Sequence, residues 1–329
     1  MSEGAAMKLL FFNASIIEQR LIAEWSATHG VSVKTVAAPL SHDNIALTHG
    51  YDALIFYPSR AFQTDATLYQ QLAQNGIKQL SIKSTGYDNI NLTYAQHYQL
   101  TVTNVPNYSP ESVAHFTIMS ILMLLRQLPE QLRTAHTVSR QHLIGKELTD
   151  VTVGIYGAGR LGSLVAKTFH FMGARVLFYA RTPKPALTAL GLTQVSFETL
   201  LIASDVLSIH VPLNETTYHR FNAVTLGKMK DDAILINTAR GSVIDTAALI
   251  LYVRQGKFSG LALDALENED TQGFQTNPYY QALEAFENVI LTPHIAYYTS
   301  AAVRDIVMTA LDNAYDVIST GISDNVVLN

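Results

Sequence analysis

The sequence contains no cysteine. That excludes disulfides, thiolate metal sites and a cysteine nucleophile, and leaves histidine, arginine and carboxylates to carry any chemistry. Charge is scarce as well: charged residues make up 15% of the chain and the net charge is -5. The basic excess that nucleic acid binding usually needs is therefore missing. No apolar run reaches the roughly 18 residues needed to span a bilayer, and no basic segment followed by a long apolar run opens the chain. Neither a nucleic acid nor a membrane partner is expected, and a cytoplasmic location is. There is no internal repeat and no low-complexity tract, and residues 1–6, M-S-E-G-A-A, are assigned no structure. What is present is 48% hydrophobic residues spread over 329 positions, enough for two domains that each bury a core.

The chain is organised around residues 153–162, V-G-I-Y-G-A-G-R-L-G. Gly157, Gly159 and Gly162 stand at the spacing G-x-G-x-x-G, with Ala158, Arg160 and Leu161 between them. The first glycine allows a tight turn, the second lets backbone approach a pyrophosphate, and the third lets helix pack closely on strand. Backbone N–H groups at the helix start then face an anion. A plain strand-to-helix turn could carry the same glycines. Context favours dinucleotide binding, because a strand is expected over 151–156, a helix over 160–172 and a second strand over 175–179.

Upstream, residues 8–13 read as a strand and 15–29 as a helix stopped by Gly30. Residues 31–37, 53–57, 80–84 and 101–104 read as further buried strands with helical patterns between them, which predicts a small flavodoxin-like domain with a parallel sheet. Downstream, strands are expected over 205–211, 233–237, 260–264 and 289–292. The fold class is thus α/β, with two doubly wound parallel-sheet domains, the second a Rossmann nucleotide-binding domain. A helical segment over 301–320 is left over and could pack back on the first domain. The expected division is residues 1–106 with 299–329, discontinuous, and residues 107–298. Residues 111–136 form one long helical pattern, apolar around most of its circumference, to be covered by the chain itself or by a second subunit.

Polar groups collect at the strand ends. A nicotinamide-dependent site needs a cation for the substrate's anion, a proton donor for its carbonyl oxygen and a group that tunes the donor. Arg240, His294 and Glu269 supply one of each. Arginine can grip a carboxylate bidentately, histidine exchanges a proton near pH 7, and a carboxylate beside it favours the imidazolium. Singly, each is more often a surface ion pair or a solvated charge. Jointly, at successive strand ends beyond a dinucleotide loop, they favour catalysis.

The motifs I-G-K-E-L, H-V-P, N-T-A-R-G, L-D followed by E-N-E, and T-P-H-I-A-Y-Y-T occur in this order over the second domain. In this the chain resembles the D-2-hydroxyacid dehydrogenases, and within them the D-lactate dehydrogenase branch. S-T-G-Y-D-N-I and N-V-P-N-Y-S-P extend the resemblance to the first domain. It implies that Arg240 binds substrate, that His294 is the acid/base, and that Glu269, rather than Glu267, is its carboxylate. It implies further that the backbone of Thr85 and Gly86 receives the substrate carboxylate and that Tyr57, Tyr108 and Tyr297 line the side-chain pocket. Asp264 would lie near the nicotinamide amide, with Val211, Pro212, Thr238, Ala239 and Arg240 along the cofactor and His294 beside it. The family is typically dimeric through its nucleotide domain, so a homodimer is expected.

Two positions depart from the family's pattern. Ala114-His115 stands where A-E is common. The second strand of the βαβ unit, which usually ends in an acidic residue for the adenosine ribose, here ends Tyr179-Ala180-Arg181-Thr182, with Lys184 beyond. Without a carboxylate at Ala180, and with Arg181 and Thr182 beside it, a 2′-phosphate is no longer repelled, so NADPH is expected to be favoured, with NADH also used. The alternative leaves Arg181 in solvent or stacked on adenine. The expected reaction is reversible hydride transfer between NAD(P)H and a small 2-keto acid such as pyruvate, giving the D-2-hydroxy acid. Larger acids, as for D-2-hydroxyisocaproate or phenyllactate dehydrogenases, or a non-catalytic dinucleotide-sensing role on the same fold, are the alternatives.

Overall fold

The computed structural model describes residues 7–133, 143–269 and 274–328. The chain divides into one unit built from residues up to Ser109 together with those from Thr299 onward, and a second built from Pro110–Tyr298.

In the first unit, β1 (Lys8–Phe12), β2 (Ser32–Val36), β3 (Ala53–Phe56), β4 (Gln79–Ile82) and β5 (Thr101–Thr103) pair in parallel in the order β2-β1-β3-β4-β5, the flavodoxin-like arrangement. Leu9, Leu10, Phe11, Leu54 and Ile55 are fully buried, as strands covered on both faces must be. β2 was expected to be buried too, but S-V-K-T-V is an edge strand paired only with β1, and it is exposed or half-exposed along its length. The helix Ile16–His29 begins with a capping box between Ser15 and Glu18 and stops at Gly30, whose φ of 66° is left-handed. The leftover helix, Ser300–Thr320, packs on this sheet: Ser81 Oγ donates to Ala310 O at 2.7 Å and Gln79 Nε2 to Asn313 O at 3.0 Å.

The second unit holds β6 (Thr152–Tyr156), β7 (Arg175–Tyr179), β8 (Thr193–Gln194), β9 (Val206–Ile209), β10 (Ile234–Asn237), β11 (Gly260–Leu263) and β12 (Val289–Leu291), all parallel, in the order β8-β7-β6-β9-β10-β11-β12. This is the Rossmann order with one strand added at its end. Alternate residues of β6 feed two cores: Val153 and Ile155 pack with Val165 and Phe169, whereas Tyr156 packs with Leu207 and Leu235. β8 was not expected from the sequence, nor was β13 (Val326–Leu328), which joins β5 antiparallel and makes the first sheet mixed. Both are too short to show a period.

The long helical pattern over 111–136 is not one helix. It runs Pro110–Leu125, breaks, and resumes as Leu128–Arg133, with Gln127 at a φ of 52°; residues 134–136 lie outside the described residues. Ile121, Leu124 and Leu125 are buried in the unit, while Met119 on the opposite flank is 47% exposed. No helix among the described residues is long and apolar enough to cross a membrane.

Candidate active site

The glycine loop follows from sterics. Gly157 has a φ of 101°, and a Cβ there would lie 2.4 Å from the carbonyl oxygen of His210, while a Cβ on Gly162 would lie 2.0 Å from that of Gly157. These two glycines are needed for the chain to close on itself. Gly159 is different: among the described residues a Cβ there would meet nothing within 4 Å, which leaves room for an approaching ligand. Gly159 caps the helix Arg160–Phe171 without a side-chain hydrogen bond, leaving the N–H groups of the first turn for an anion. Ala158 is buried, so only its backbone can serve, whereas Arg160 is exposed and Leu161 half-buried.

Beyond β7, Ala180 is half-buried and Arg181 and Thr182 are exposed. Gln194 of β8 ties this turn down, its Nε2 donating to Ala180 O at 3.1 Å and its Oε1 accepting from Lys184 N at 3.3 Å. An aromatic group stands at the same strand ends. Tyr156 stacks on Tyr179 at 5.4 Å, and the Arg220 guanidinium lies 4.4 Å over the ring of Phe197, which also packs on Tyr156. Gln194 and Arg220 were missed from sequence, because neither belongs to a recognisable spacing. Val211 is half-buried and Pro212 exposed after β9, and Thr238, half-buried after β10, shares a hydrogen bond with Thr117 at 3.0 Å. Ala239 packs against the larger core.

Arg240 leaves the end of β10 through a turn held by Asn237, which donates to Arg240 O at 2.9 Å and accepts from Ala239 N at 3.0 Å. Gly241 then touches the segment after β11, since a Cβ there would lie 2.1 Å from Leu266 C and 2.3 Å from Glu267 N. That contact brings the arginine turn against the stretch carrying both glutamates.

The two glutamates face different partners. Glu267 is buried, accepts from Thr246 N at 2.8 Å and meets His219 Nε2 at 2.7 Å. Glu269 places Oε1 2.7 Å from His294 Nδ1 and Oε2 3.2 Å from Leu266 N. With Nδ1 turned to the carboxylate, Nε2 is the ring nitrogen left to exchange a proton. Burial works against a charged imidazole here, but the hydrogen bond and charge of Glu269 outweigh it; Arg240 opposes and Asp264 adds, and His294 ends above its ordinary pKa.

His294 sits at a φ of 54°, a left-handed backbone that costs roughly 1–3 kcal/mol for a residue other than glycine. Asp264 holds it there. The N–H of His294 donates to Asp264 O at 2.9 Å, while the Asp264 carboxylate accepts from Thr292 Oγ1 at 2.6 Å, Ile295 N at 2.9 Å and Ala296 N at 2.9 Å. Asp264 is 2% exposed, and these contacts make its carboxylate the clamp of the histidine turn, a part no local motif marks.

In the first unit, the remaining residues follow three neighbouring strands: Tyr57 after β3, Thr85 and Gly86 after β4, Tyr108 after β5. The Thr85 loop is braced on its acceptor side, Ser84 Oγ donating to Gly86 O at 2.6 Å, Asn104 Nδ2 to Thr85 O at 2.7 Å and Thr85 Oγ1 to Val105 O at 2.8 Å. Among the described residues, the N–H groups of Thr85 and Gly86 have no hydrogen-bond partner. Two successive unpaired N–H groups at strand ends suit an anion. Tyr297 belongs to the second unit and packs edge-on against Tyr298 at 5.9 Å.

A Rossmann-ordered sheet, a sterically required glycine loop and a carboxylate-paired histidine at the strand ends define a dinucleotide-binding α/β protein equipped for acid/base chemistry. Residues 117–296 match the family described as D-isomer specific 2-hydroxyacid dehydrogenase, NAD binding domain. A D-lactate/D-glycerate dehydrogenase of Pediococcus acidilactici is 34% identical over 97% of this chain and 98% of its own length. Two solved structures are similar throughout: the D-lactate dehydrogenase of Treponema pallidum, 34% identical with a TM-score of 0.84 over 98% of this chain and 100% of that one, and that of Aquifex aeolicus, complexed with NAD and lactic acid, 31% identical with a TM-score of 0.86 over 98% and 99%. The chain belongs to the D-isomer-specific 2-hydroxyacid dehydrogenases, oxidoreductases that use a nicotinamide dinucleotide.

Proposed function

We propose that the protein is a D-lactate dehydrogenase, reducing pyruvate or a similarly small 2-keto acid to the D-2-hydroxy acid. The observation that carries this is the 2.7 Å contact between His294 and Glu269 on the same sheet edge as Arg240. A nicotinamide dinucleotide would be held by the glycine loop and the residues after β7, β9 and β10, and would supply the hydride. Arg240 grips the substrate carboxylate and polarises the adjacent carbonyl. His294 Nε2 gives the carbonyl oxygen its proton in reduction and takes it back in oxidation, and Glu269 keeps the imidazolium available. On the first unit, the N–H groups of Thr85 and Gly86, without a partner among the described residues, receive the carboxylate, with Tyr57 and Tyr108 following the neighbouring strands; on the second unit, Tyr297 is the aromatic residue assigned to the substrate's side chain. The preference for a small acid is supported by the names of the relatives. The test is loss of NAD(P)H absorbance with a panel of 2-keto acids. His294→Ala is expected to cost roughly 10²- to 10⁴-fold in kcat; near-normal turnover in that variant would overturn the assignment.

For the cofactor, the reading is that NADPH is preferred. It is supported by the missing carboxylate at Ala180 and by exposed Arg181 at the same turn, although the family description and the Aquifex aeolicus structure name NAD. Arg181→Ala is expected to lower kcat/KM for NADPH roughly tenfold to a hundredfold, the size of a partly exposed charge-assisted contact, and to leave NADH nearly unchanged. A wild-type preference for NADH above about tenfold, or equal losses with both cofactors, would mean that Arg181 does not read the 2′-phosphate. The apolar flank of the Pro110–Leu125 helix, exposed at Met119 among the described residues, supports a homodimer.

A further inference from the structure

Lys83 is the first residue beyond β4, immediately before the loop of Thr85 and Gly86, and its side chain is 0% exposed. Its ammonium meets Glu18 Oε1 at 2.8 Å, Asn13 O at 3.2 Å and Phe12 O at 3.5 Å. It also lies between two aromatic faces, 4.2 Å from the ring centre of Phe11 and 4.7 Å from that of Tyr57. One buried cation thus joins the end of β1, the capping box of the first helix, the start of the Thr85 loop and the face of Tyr57. Packing alone does not call for it, since an apolar side chain would fill the space beside Phe11 without the desolvation that a buried ion pair incurs. Nor is it suited to attracting a substrate anion, because Glu18 cancels its charge at contact distance.

We propose that Lys83 is a positioning residue for substrate binding: its ammonium fixes the ring of Tyr57 through a cation–π contact and ties down the strand end that leads into the loop whose N–H groups receive the carboxylate. It governs the affinity for the keto acid and leaves the hydride step alone.

The proposal rests on the substrate reading above, and its test keeps the two apart. Pyruvate turnover by the wild-type enzyme and its loss in His294→Ala examine that reading first; the Lys83 variants are then compared on the same assay. Removing Lys83 alone strands the Glu18 carboxylate, so two neutral pairs are made, Lys83→Met with Glu18→Gln and Lys83→Met with Glu18→Leu, so that failure of one to fold leaves the other. The expected result is a KM for pyruvate raised roughly tenfold, the loss that about 1.4 kcal/mol of binding corresponds to, with kcat within about twofold and the dinucleotide KM unchanged. Lys83→Arg, which keeps the cation over the rings, restores most of the affinity. Tyr57→Leu raises the pyruvate KM by itself but adds little in the neutral-pair background, because both changes remove one arrangement. An unchanged pyruvate KM in the neutral pairs, a fall in kcat at constant KM, or fully multiplicative effects of Tyr57→Leu would overturn the proposal.

Discussion

His294 combines a backbone strain with a charge partner, and each has a consequence. The left-handed φ of 54° is held by donors that converge on Asp264, so the imidazole is aimed before any ligand arrives. Glu269 leaves the histidine above its ordinary pKa, so the proton needed for reduction stays in place as pH rises and is lost only as pH passes through the raised value. In Glu269→Gln the imidazolium loses its anion and its pKa falls. The basic limb of the pH profile for reduction and the acid limb for oxidation should both move to lower pH. Profiles of kcat/KM in both directions check this, and limbs that stay where they are in the wild type would remove Glu269 from the role.

At the scale of the elements, glycines with different surroundings should respond differently to the same methyl group. Gly241→Ala drives a Cβ into backbone atoms of Leu266 and Glu267 that cannot yield, pushing the arginine turn away from the glutamate stretch. A loss of stability of roughly 1–3 kcal/mol is expected, seen in the denaturant midpoint, together with a fall in turnover. The Cβ of Gly159→Ala meets nothing within 4 Å among the described residues. Its midpoint should stay close to wild type while the KM for the dinucleotide rises, because the added carbon occupies the space a pyrophosphate approaches. Equal stability losses in the two variants would show that the loop above Gly159 is not open for a ligand.

At the scale of the whole molecule, the helix Pro110–Leu125 carries an apolar flank that the described residues leave exposed, Met119 at 47%. A groove of about 670 Å³ runs along it, lined by His115, Met119, Leu122 and Met123 among others. An apolar surface of this kind on a nucleotide-binding unit fits burial against a second copy. A dimer mass is expected by light scattering at micromolar concentration, falling to a monomer mass when Met119 and Met123 are both changed to glutamate. A wild-type monomer under those conditions would exclude this interface.

Much of this was legible in the sequence because it is local. The buried strands show as apolar runs, the first helix by Ser15, Glu18 and Gly30, and the dinucleotide loop by glycines whose spacing is set by sterics within one βαβ unit. The catalytic candidates were legible for the same reason, as polar residues at the ends of recognisable strands. Residues 111–136 were read as one helix because leucines recur at helical spacing through the break at Gln127, although Pro129, in the first turn of the second helix, marks that break. It also made β2 a buried strand, although only the order of the sheet decides which strand is at the edge. The resemblance implied Glu269 on His294, but tertiary structure alone decided the other contacts between distant positions: Glu267 turned to His219, the Asp264 carboxylate beneath the histidine turn, and Lys83 against Glu18 and Tyr57. The physical reason is that a charge's partner is fixed by where the sheet order and the backbone turns place it, and residues 65 positions apart, as Glu18 and Lys83 are, carry no local mark of meeting.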